Sequence, residues 1–310
     1  MIVDINTTIR QPHIQRIALP IEEVKTMSEP VSKTVLITGC SSGFGAATAR
    51  HFADQGWNVI ATMRNPADDP GLANLANTLV SRLDVEDQNS IETAIAEGIA
   101  RFGRIDVLVN NAGFGAFGIF EETPRAKMLA QFNVNLFGLM DVTRAMLPHF
   151  RQNRAGCIVN IGSGAGVFAL PMISLYCASK FALEGFSEAL SYELADLGIA
   201  VKMVEPGGVT ATKFGARSGA EAAGAESIPD YAPFITAAHD LFAALRAQRA
   251  NATSEEVAAV IYQAATDTSD RLRYIATDDI MPLVKARRET SEEAYMAFMR
   301  ARVTPKVTLA

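Results

Sequence analysis

The stretch Thr38-Gly39-Cys40-Ser41-Ser42-Gly43-Phe44-Gly45 stands between an apolar run, Val35-Leu36-Ile37, and a helix-like segment beginning near Ala46. A strand that turns through glycines into a helix N-terminus presents free backbone N–H groups to an anion, and the helix dipole adds roughly half a positive charge there. The pattern therefore reads as a pyrophosphate cradle. Gly39 permits the tight turn, Gly43 lets the backbone approach a ligand, and Gly45 lets the helix pack closely on the strand. The spacing is not G-x-G-x-x-G, and no Lys-Ser/Thr follows as in an NTPase loop. Further along, Tyr176 and Lys180 are spaced i, i+4 near the start of a helix, so phenol and amine share a face. Ser163 lies just past an apolar strand, on the side where open α/β sheets bind ligands. Asn110-Asn111-Ala112-Gly113 ends another strand, and Asn135 falls within a long helical stretch. A glycine cluster alone is often an ordinary turn, and Tyr-x-x-x-Lys occurs by chance in many helices. The weight lies in their combination.

Apolar strands alternate with helical patterns along the whole chain, which predicts an α/β fold: a doubly wound, mostly parallel seven-stranded sheet with helices on both faces. Strands are expected near residues 34–38, 58–62, 79–83, 107–110, 157–161, 201–205 and 274–276, with the Val/Ile/Leu content of strands buried on both sides. Helices are expected near 46–55, 89–101, 125–151, 175–197 and 236–246. Two late helices are expected to open with capping boxes, Thr253-Ser254-Glu255-Glu256 and Thr290-Ser291-Glu292-Glu293. Residues 33–310 read as a single domain with a substrate loop around 212–235. Within that loop the Gly/Ala/Ser-rich run 215–227 reads as a mobile cover, with a surface insertion as the alternative.

The chain has 310 residues, 49% of them hydrophobic, and a formal net charge of −6. It has no basic run and no aromatic-interleaved basic patch, which argues against nucleic acid as a partner. Cys40, Cys157 and Cys177 show no metal-ligand spacing and suit a reducing, cytoplasmic compartment; no metal is expected. Residues 155–179 carry no charge, but five glycines or prolines and the polar Asn160, Ser163 and Ser174 argue against a membrane span. Residues 1–32 lack an apolar signal core and carry Asp4, Glu22, Glu23 and Glu29, so they read as a loosely held extension, with Met27 as an expected alternative start.

These features together resemble the short-chain dehydrogenase/reductase family over approximately residues 33–280. The matching elements are the glycine motif, Asp84-Val85 after the third strand, Asn110–Gly113, Asn135, Ser163, Tyr176, Lys180 and Pro206-Gly207, in the family's order. The wider sequence looks most like the branch containing 17β-hydroxysteroid and retinol dehydrogenases. The resemblance implies a Rossmann fold, a nicotinamide cofactor and an interconversion of carbonyl and alcohol. It implies Tyr176 as general acid/base and Lys180 as the charge that tunes it and bonds the nicotinamide ribose. Ser163 would hold the substrate oxygen, and Asn135 would hold a water through its backbone carbonyl. A phenol with a pKa of about 10 is a poor base near neutrality, so Lys180 and oxidised nicotinamide are expected to lower it. The implied cofactor contacts run through Gly39, Ser41, Ser42, Gly43, Phe44, Gly45, Arg64, Asp84, Val85, Asn111, Ala112, Gly113, Tyr176, Lys180, Pro206, Gly207 and Val209.

Cofactor choice is read at the end of the second strand. NAD users of the family usually place an acid there, where this chain has Met63 and then Arg64. An arginine binds a 2′-phosphate that an acid would repel, so NADP(H) is favoured. The alternative is that Arg64 only stacks on adenine and NAD(H) also serves. After Gly207 the family commonly has a threonine four places on, where this chain has Ala211 flanked by Thr210 and Thr212. Phe114, Phe117, Phe120, Phe168, Leu170, Met172, Ile173 and Phe214 suggest an apolar, fairly bulky alcohol or ketone, although several would also suit a core. A non-catalytic dinucleotide sensor is the competing reading, against which the four catalytic-type residues weigh. A serine hydrolase is disfavoured because Ile161 stands where a nucleophile elbow needs glycine. Homodimers or homotetramers built through the long helices are expected from the resemblance.

Overall fold

The computed structural model describes residues 32–209, 228–247 and 252–307. The expected extension (but for Ser32), the expected start Met27, and residues 210–227 with most of the expected substrate loop lie outside the described residues.

Among the described residues seven strands form one sheet: β1 (Thr34–Ile37), β2 (Asn58–Met63), β3 (Thr78–Arg82), β4 (Val107–Asn110), β5 (Gly156–Ile161), β6 (Ile199–Glu205) and β7 (Arg273–Ile275). Their order is β3-β2-β1-β4-β5-β6-β7, and every pairing is parallel. The helices are α1 (Gly43–Asp54), α2 (Gln88–Phe102), α3 (Arg125–Phe132), α4 (Leu139–Asn153), α5 (Ser174–Leu194), α6 (Ala232–Ala247), α7 (Ser254–Thr266), α8 (Met281–Glu289) and α9 (Glu292–Val303).

Successive strand residues point to opposite faces, and here both faces are apolar. Val35, Val59, Val107 and Val159 meet Phe52 of α1 and Ile261 of α7 on one side. Their neighbours Leu36, Ile60, Leu108 and Ile158 meet Ile91 of α2, Met146 of α4 and Leu190 of α5 on the other. This is the expected doubly wound architecture. The chain winds outward from β1 to β3 and then returns to β4 beside β1, so the direction of winding reverses between β1 and β4. A crevice opens at the carboxyl ends of such a pair. The glycine motif follows β1 and Asn111 follows β4, which brings both to that crevice.

Two helical expectations differ from what is found. The stretch 125–151 is not one α-helix: a π-helical segment, Asn133–Gly138, separates α3 from α4. Periodicity does not reveal a single widened turn, because the apolar stripe resumes after it. The box at Thr253 is complete, with Thr253 Oγ1 accepting from Glu256 N at 3.1 Å and Glu256 Oε2 accepting from Thr253 N at 2.9 Å. The one expected at Thr290 is not formed. Ser291 is the cap there, accepting from Ala294 N at 3.2 Å, and Ala294 has no carboxylate to reach back. Thr290 instead donates to Ala286 O at 2.6 Å, at the end of α8, a helix the sequence reading did not anticipate.

Gly45 is the position where α1 presses on the crevice. A Cβ there would strike the Gly39 carbonyl and stand 2.6 Å from Asn111 Nδ2. We expect Gly45→Ala to lose about 1–3 kcal/mol of stability in urea unfolding, because backbone on both sides must shift. An unchanged midpoint would contradict this packing.

Candidate active site

Gly39 and Gly43 hold φ of +75° and +56°, conformations that side chains with a Cβ rarely adopt. Ser42 precedes α1 with an extended backbone, and its side chain caps none of the helix's first N–H groups. The loop is fixed from β4. Thr38 Oγ1 accepts from the backbone N–H groups of Asn111 and Ala112, both at 3.0 Å, and Asn111 Nδ2 donates to the carbonyls of Thr38 at 2.8 Å and Gly39 at 3.1 Å. Asn111 thus spends its amide tying the two carboxyl ends together. Cys40 is buried, and burial pushes its thiol up to about 12. Ser41, Ser42, Gly43 and Phe44 remain partly exposed. This rim has glycine-made space, uncapped helical N–H groups and a rigid backing, the features that suit a pyrophosphate.

The other residues read from the sequence as cofactor contacts also lie at strand ends. Arg64 follows β2, is exposed, and has no hydrogen-bond or ion-pair partner among the described residues. Asp84 follows β3; its backbone N–H donates to Ser90 Oγ at 3.0 Å and its Oδ1 accepts from Glu86 N at 3.2 Å. Val85 is buried against Gly138, whose added Cβ would stand 2.7 Å from Val85 Cγ2. Gly113 follows Ala112 with Asn135 Oδ1 nearby.

The π-helical segment carries Asn135. Its side chain is buried and grips one residue of the β4 loop twice: Oδ1 accepts from Phe114 N at 3.0 Å and Nδ2 donates to Phe114 O at 2.8 Å. Nδ2 also lies 3.4 Å from Ser179 Oγ on α5. Gln131, one helical turn earlier, repeats the device by accepting from Ala116 N at 2.6 Å and donating to Phe114 O at 2.8 Å. Gln131 escaped the sequence reading, since a glutamine in a helix carries no signal of burial.

Ser163 follows β5 and begins a short 3₁₀ turn, Gly164–Gly166, accepting from Ala165 N at 3.1 Å. Its hydroxyl also hydrogen-bonds the Tyr176 phenol. Lys180 is buried, donates to Ile161 O at 2.7 Å, and places Nζ 5.8 Å from the centre of the Tyr176 ring. Phe117 meets the same ring edge-on at 6.2 Å. Met172, just before α5, adopts φ of +59° while its carbonyl accepts from Gly118 N at 2.8 Å, closing the loops over this corner. Asn135, Ser163, Tyr176 and Lys180 are therefore brought to one end of the sheet.

The electrostatics describe the pair without a nucleotide. In the chain by itself the Tyr176 phenol is pushed up to about 12, because burial outweighs the bond from Ser163. Lys180 is held down at about 8 by burial, with Glu184 acting in the opposite direction. Lys180 alone does not make Tyr176 acidic.

Pro206-Gly207 closes the site from β6. The Pro206 carbonyl accepts from Gly164 N at 2.9 Å, Gly207 N donates to Thr277 Oγ1 at 2.8 Å, and Gly208 N donates to Asp279 Oδ2 at 3.2 Å. Thr277 and Asp279 escaped sequence reading because their partners are some 70 residues away. Val209 packs on the sheet core; Thr210, Ala211, Thr212 and Phe214 lie outside the described residues. Of the aromatic set, Phe114 and Phe168 are buried, and Ile173 packs in a small cluster with Cys177. Phe117 packs against the same cluster, while Phe120 and Met172 line an opening beside Ser174.

Comparison with known proteins agrees with this arrangement. The family model for short chain dehydrogenase matches residues 33–222. An uncharacterized oxidoreductase of Schizosaccharomyces pombe is 37% identical over 239 residues, covering 77% of this chain and 98% of its own. The 17-beta-hydroxysteroid dehydrogenase type 1 of Mus musculus is 34% identical over 277 residues, covering 86% of this chain and 80% of its own. Among solved structures, a short-chain dehydrogenase from Streptomyces avermitilis superposes with a TM-score of 0.72 at 32% identity, over 87% of this chain and 96% of that one. The chain belongs to the short-chain dehydrogenase/reductase family and is an oxidoreductase of that family.

Proposed function

We propose that the protein interconverts a carbonyl and an alcohol on an apolar, fairly bulky substrate, using NADP(H), with Tyr176 as the general acid/base. The observation that carries this reading is the meeting of the Ser163–Tyr176 hydrogen bond with the buried Lys180 ammonium, 5.8 Å from the phenol ring, at the carboxyl end of β5. A bound nicotinamide supplies the hydride and, when oxidised, a positive charge. The chain's residues do the rest. The glycine rim and the α1 N-terminus would hold the pyrophosphate, with Asp84, Val85, Asn111, Ala112 and Gly113 at the adenosine side and Pro206, Gly207 and Val209 at the nicotinamide side. Lys180 would hold the ribose.

In the reducing direction Tyr176 gives its proton to the carbonyl oxygen as hydride reaches the carbon, and Ser163 donates to the same oxygen. A phenol kept near 12 is fully protonated at neutral pH, which is the form this step needs. Proton loss from Tyr176 leaves a phenolate beside the Lys180 ammonium, which stabilises it. The backbone carbonyl of Asn135 is read as the link from Lys180 to solvent. An apolar substrate is supported by an opening of about 500 Å³ lined by Ile119, Phe120, Met172 and Tyr231 together with the polar Glu121 and Ser174. The exposed guanidinium of Arg64, without a partner among the described residues, supports the 2′-phosphate of NADP(H), with Ser41 and Ser42 as further donors.

A homo-oligomer built through the long helices is supported by exposed Phe181 and Tyr192 on α5 and Leu129 on α3. The cytoplasm is supported by three unpaired, buried thiols. No helix among the described residues is long and apolar enough to cross a membrane.

Turnover of secondary alcohols and ketones, followed at the NADPH absorbance, tests the activity. Tyr176→Phe is expected to lower kcat by at least about a thousandfold while NADPH still binds. Comparable rates would refute the acid/base role, and tight cofactor binding without turnover of any compound would indicate a redox sensor. Arg64→Asp is expected to weaken NADPH by roughly a hundredfold while leaving NADH nearly unchanged, since a charge-assisted phosphate contact becomes a repulsion. Equal losses would remove Arg64 as the phosphate reader. Sedimentation of dilute protein is expected to give at least twice the chain mass; a monomer would contradict the oligomer.

A further inference from the structure

Beneath the Ser163 turn lies a set of charges that the mechanism leaves unused. Glu184 follows Lys180 by one turn of α5 and is only 8% exposed. Its Oε2 accepts from Arg273 Nε at 2.9 Å. Arg273, on β7, also reaches Glu188 at 2.5 Å and stands 3.8 Å from Glu205 Oε1. Glu205, fully buried at the end of β6, pairs with Arg288 of α8 at 2.5 Å. Lys180, Arg273 and Arg288 thus balance Glu184, Glu188 and Glu205.

Two atoms in this set, Glu184 Oε1 and Glu205 Oε2, are buried without a hydrogen-bond partner among the described residues, and the first of them lies beside the site. A lone oxygen of a buried carboxylate is costly to desolvate, and an apolar side chain would fill the space with less penalty. Glu184 Oε1 faces the turn that carries Ser163. A Cβ built on Gly162 would stand 3.2 Å from it, and one on Gly166 would stand 3.1 Å from Glu184 Cγ and 3.0 Å from the Lys180 carbonyl. The carboxylate therefore lies beside the Ser163 turn, on the helix that presents Lys180 one turn earlier.

We propose that Glu184 is a positioning residue for the reaction: anchored by Arg273, its carboxylate supports the Ser163 turn, keeps the Lys180 ammonium charged, and so sets the upper pH bound of turnover. This rests on the role given to Lys180 above. The charges that face Glu184 are Lys180 and Glu188 from its own helix, Arg273 from β7, Glu205 from β6 and Arg288 from α8. Among them Glu184 opposes the burial that lowers Lys180 to about 8. Glu184 is itself pushed up to about 6 by burial and by Glu205, so both members are charged between about 6 and 8. Removing the negative charge leaves the set with one cation in excess and takes away the charge that opposes burial at Lys180, which lowers Lys180 further, and the alkaline limb must then move to lower pH.

The test is the pH profile of kcat for the full-length protein with NADPH and an aromatic ketone such as benzil. In Glu184→Gln the alkaline limb is expected about one pH unit lower than in the wild type. Glu184→Asp keeps the charge but draws it back, so its limb is expected to move the same way by less than half as much. If the Gln variant does not fold, the smaller shift in the Asp variant decides. A wild-type limb that neither variant moves overturns the inference about Glu184 alone. Wild-type turnover without any alkaline limb overturns the role of Lys180 and this inference together.

Discussion

A buried ammonium is the constraint around which this molecule is built. Lys180 sits out of water at the carboxyl edge of the sheet, held by a 2.7 Å bond to the Ile161 carbonyl. Burial disfavours that charge, and the surrounding structure offsets part of the penalty with a carbonyl and a neighbouring carboxylate, Glu184. The phenol of Tyr176 shares the apolar corner, and burial drives it in the opposite sense, toward its neutral form. The two residues are therefore held with displaced ionisations, one easily discharged and one reluctant to charge. This suits a pair that exchanges a proton only when additional charge arrives.

The rest of the architecture fixes the space in front of this pair. The Thr38–Asn111 clamp joins β1 to β4 where the winding reverses, and Gly39 and Gly45 each remove a Cβ that would press the two ends apart. Asn135 and Gln131 hold the Phe114 backbone from one side, while the Pro206–Gly164 bond holds the Ser163 turn from the other. Buried amides carry most of this load. Asn110 joins Asn160 and Thr143 across two strands and α4, and Asn160 continues to Ser187 on α5. Such a connected polar network gives the site a single arrangement, which an apolar core of equal volume would not specify.

Much of this was legible in the chain. The strands could be read because both faces of each are apolar, which leaves continuous Val/Ile/Leu runs whose ends differ from the structure by one or two residues. The site residues could be read because they lie immediately after those runs, where position along the chain and position in the fold coincide. What escaped depends on distant partners. The π-helical turn at Asn135 answers to Val85 and Phe114, and Gly207 answers to Asp279. The ion pair between Glu184 and Arg273 joins residues 89 apart, so neither looks unusual in its own neighbourhood. Phe114 and Phe168 read as possible site residues because an aromatic in a loop gives no sign of which way it faces. The thiol of Cys40, within the glycine motif, is withdrawn from chemistry by the same depth that makes the loop rigid.

The ionisation of Tyr176 tests the account most directly. An ultraviolet difference titration of wild type against Tyr176→Phe would be recorded with and without NADP⁺. Without nucleotide, no phenolate signal from this residue is expected until well above pH 10. With NADP⁺, the added positive charge should bring the phenolate signal down by about 2 pH units. A Tyr176 signal at the same pH in both titrations would contradict the proposed coupling between phenol, ammonium and nicotinamide.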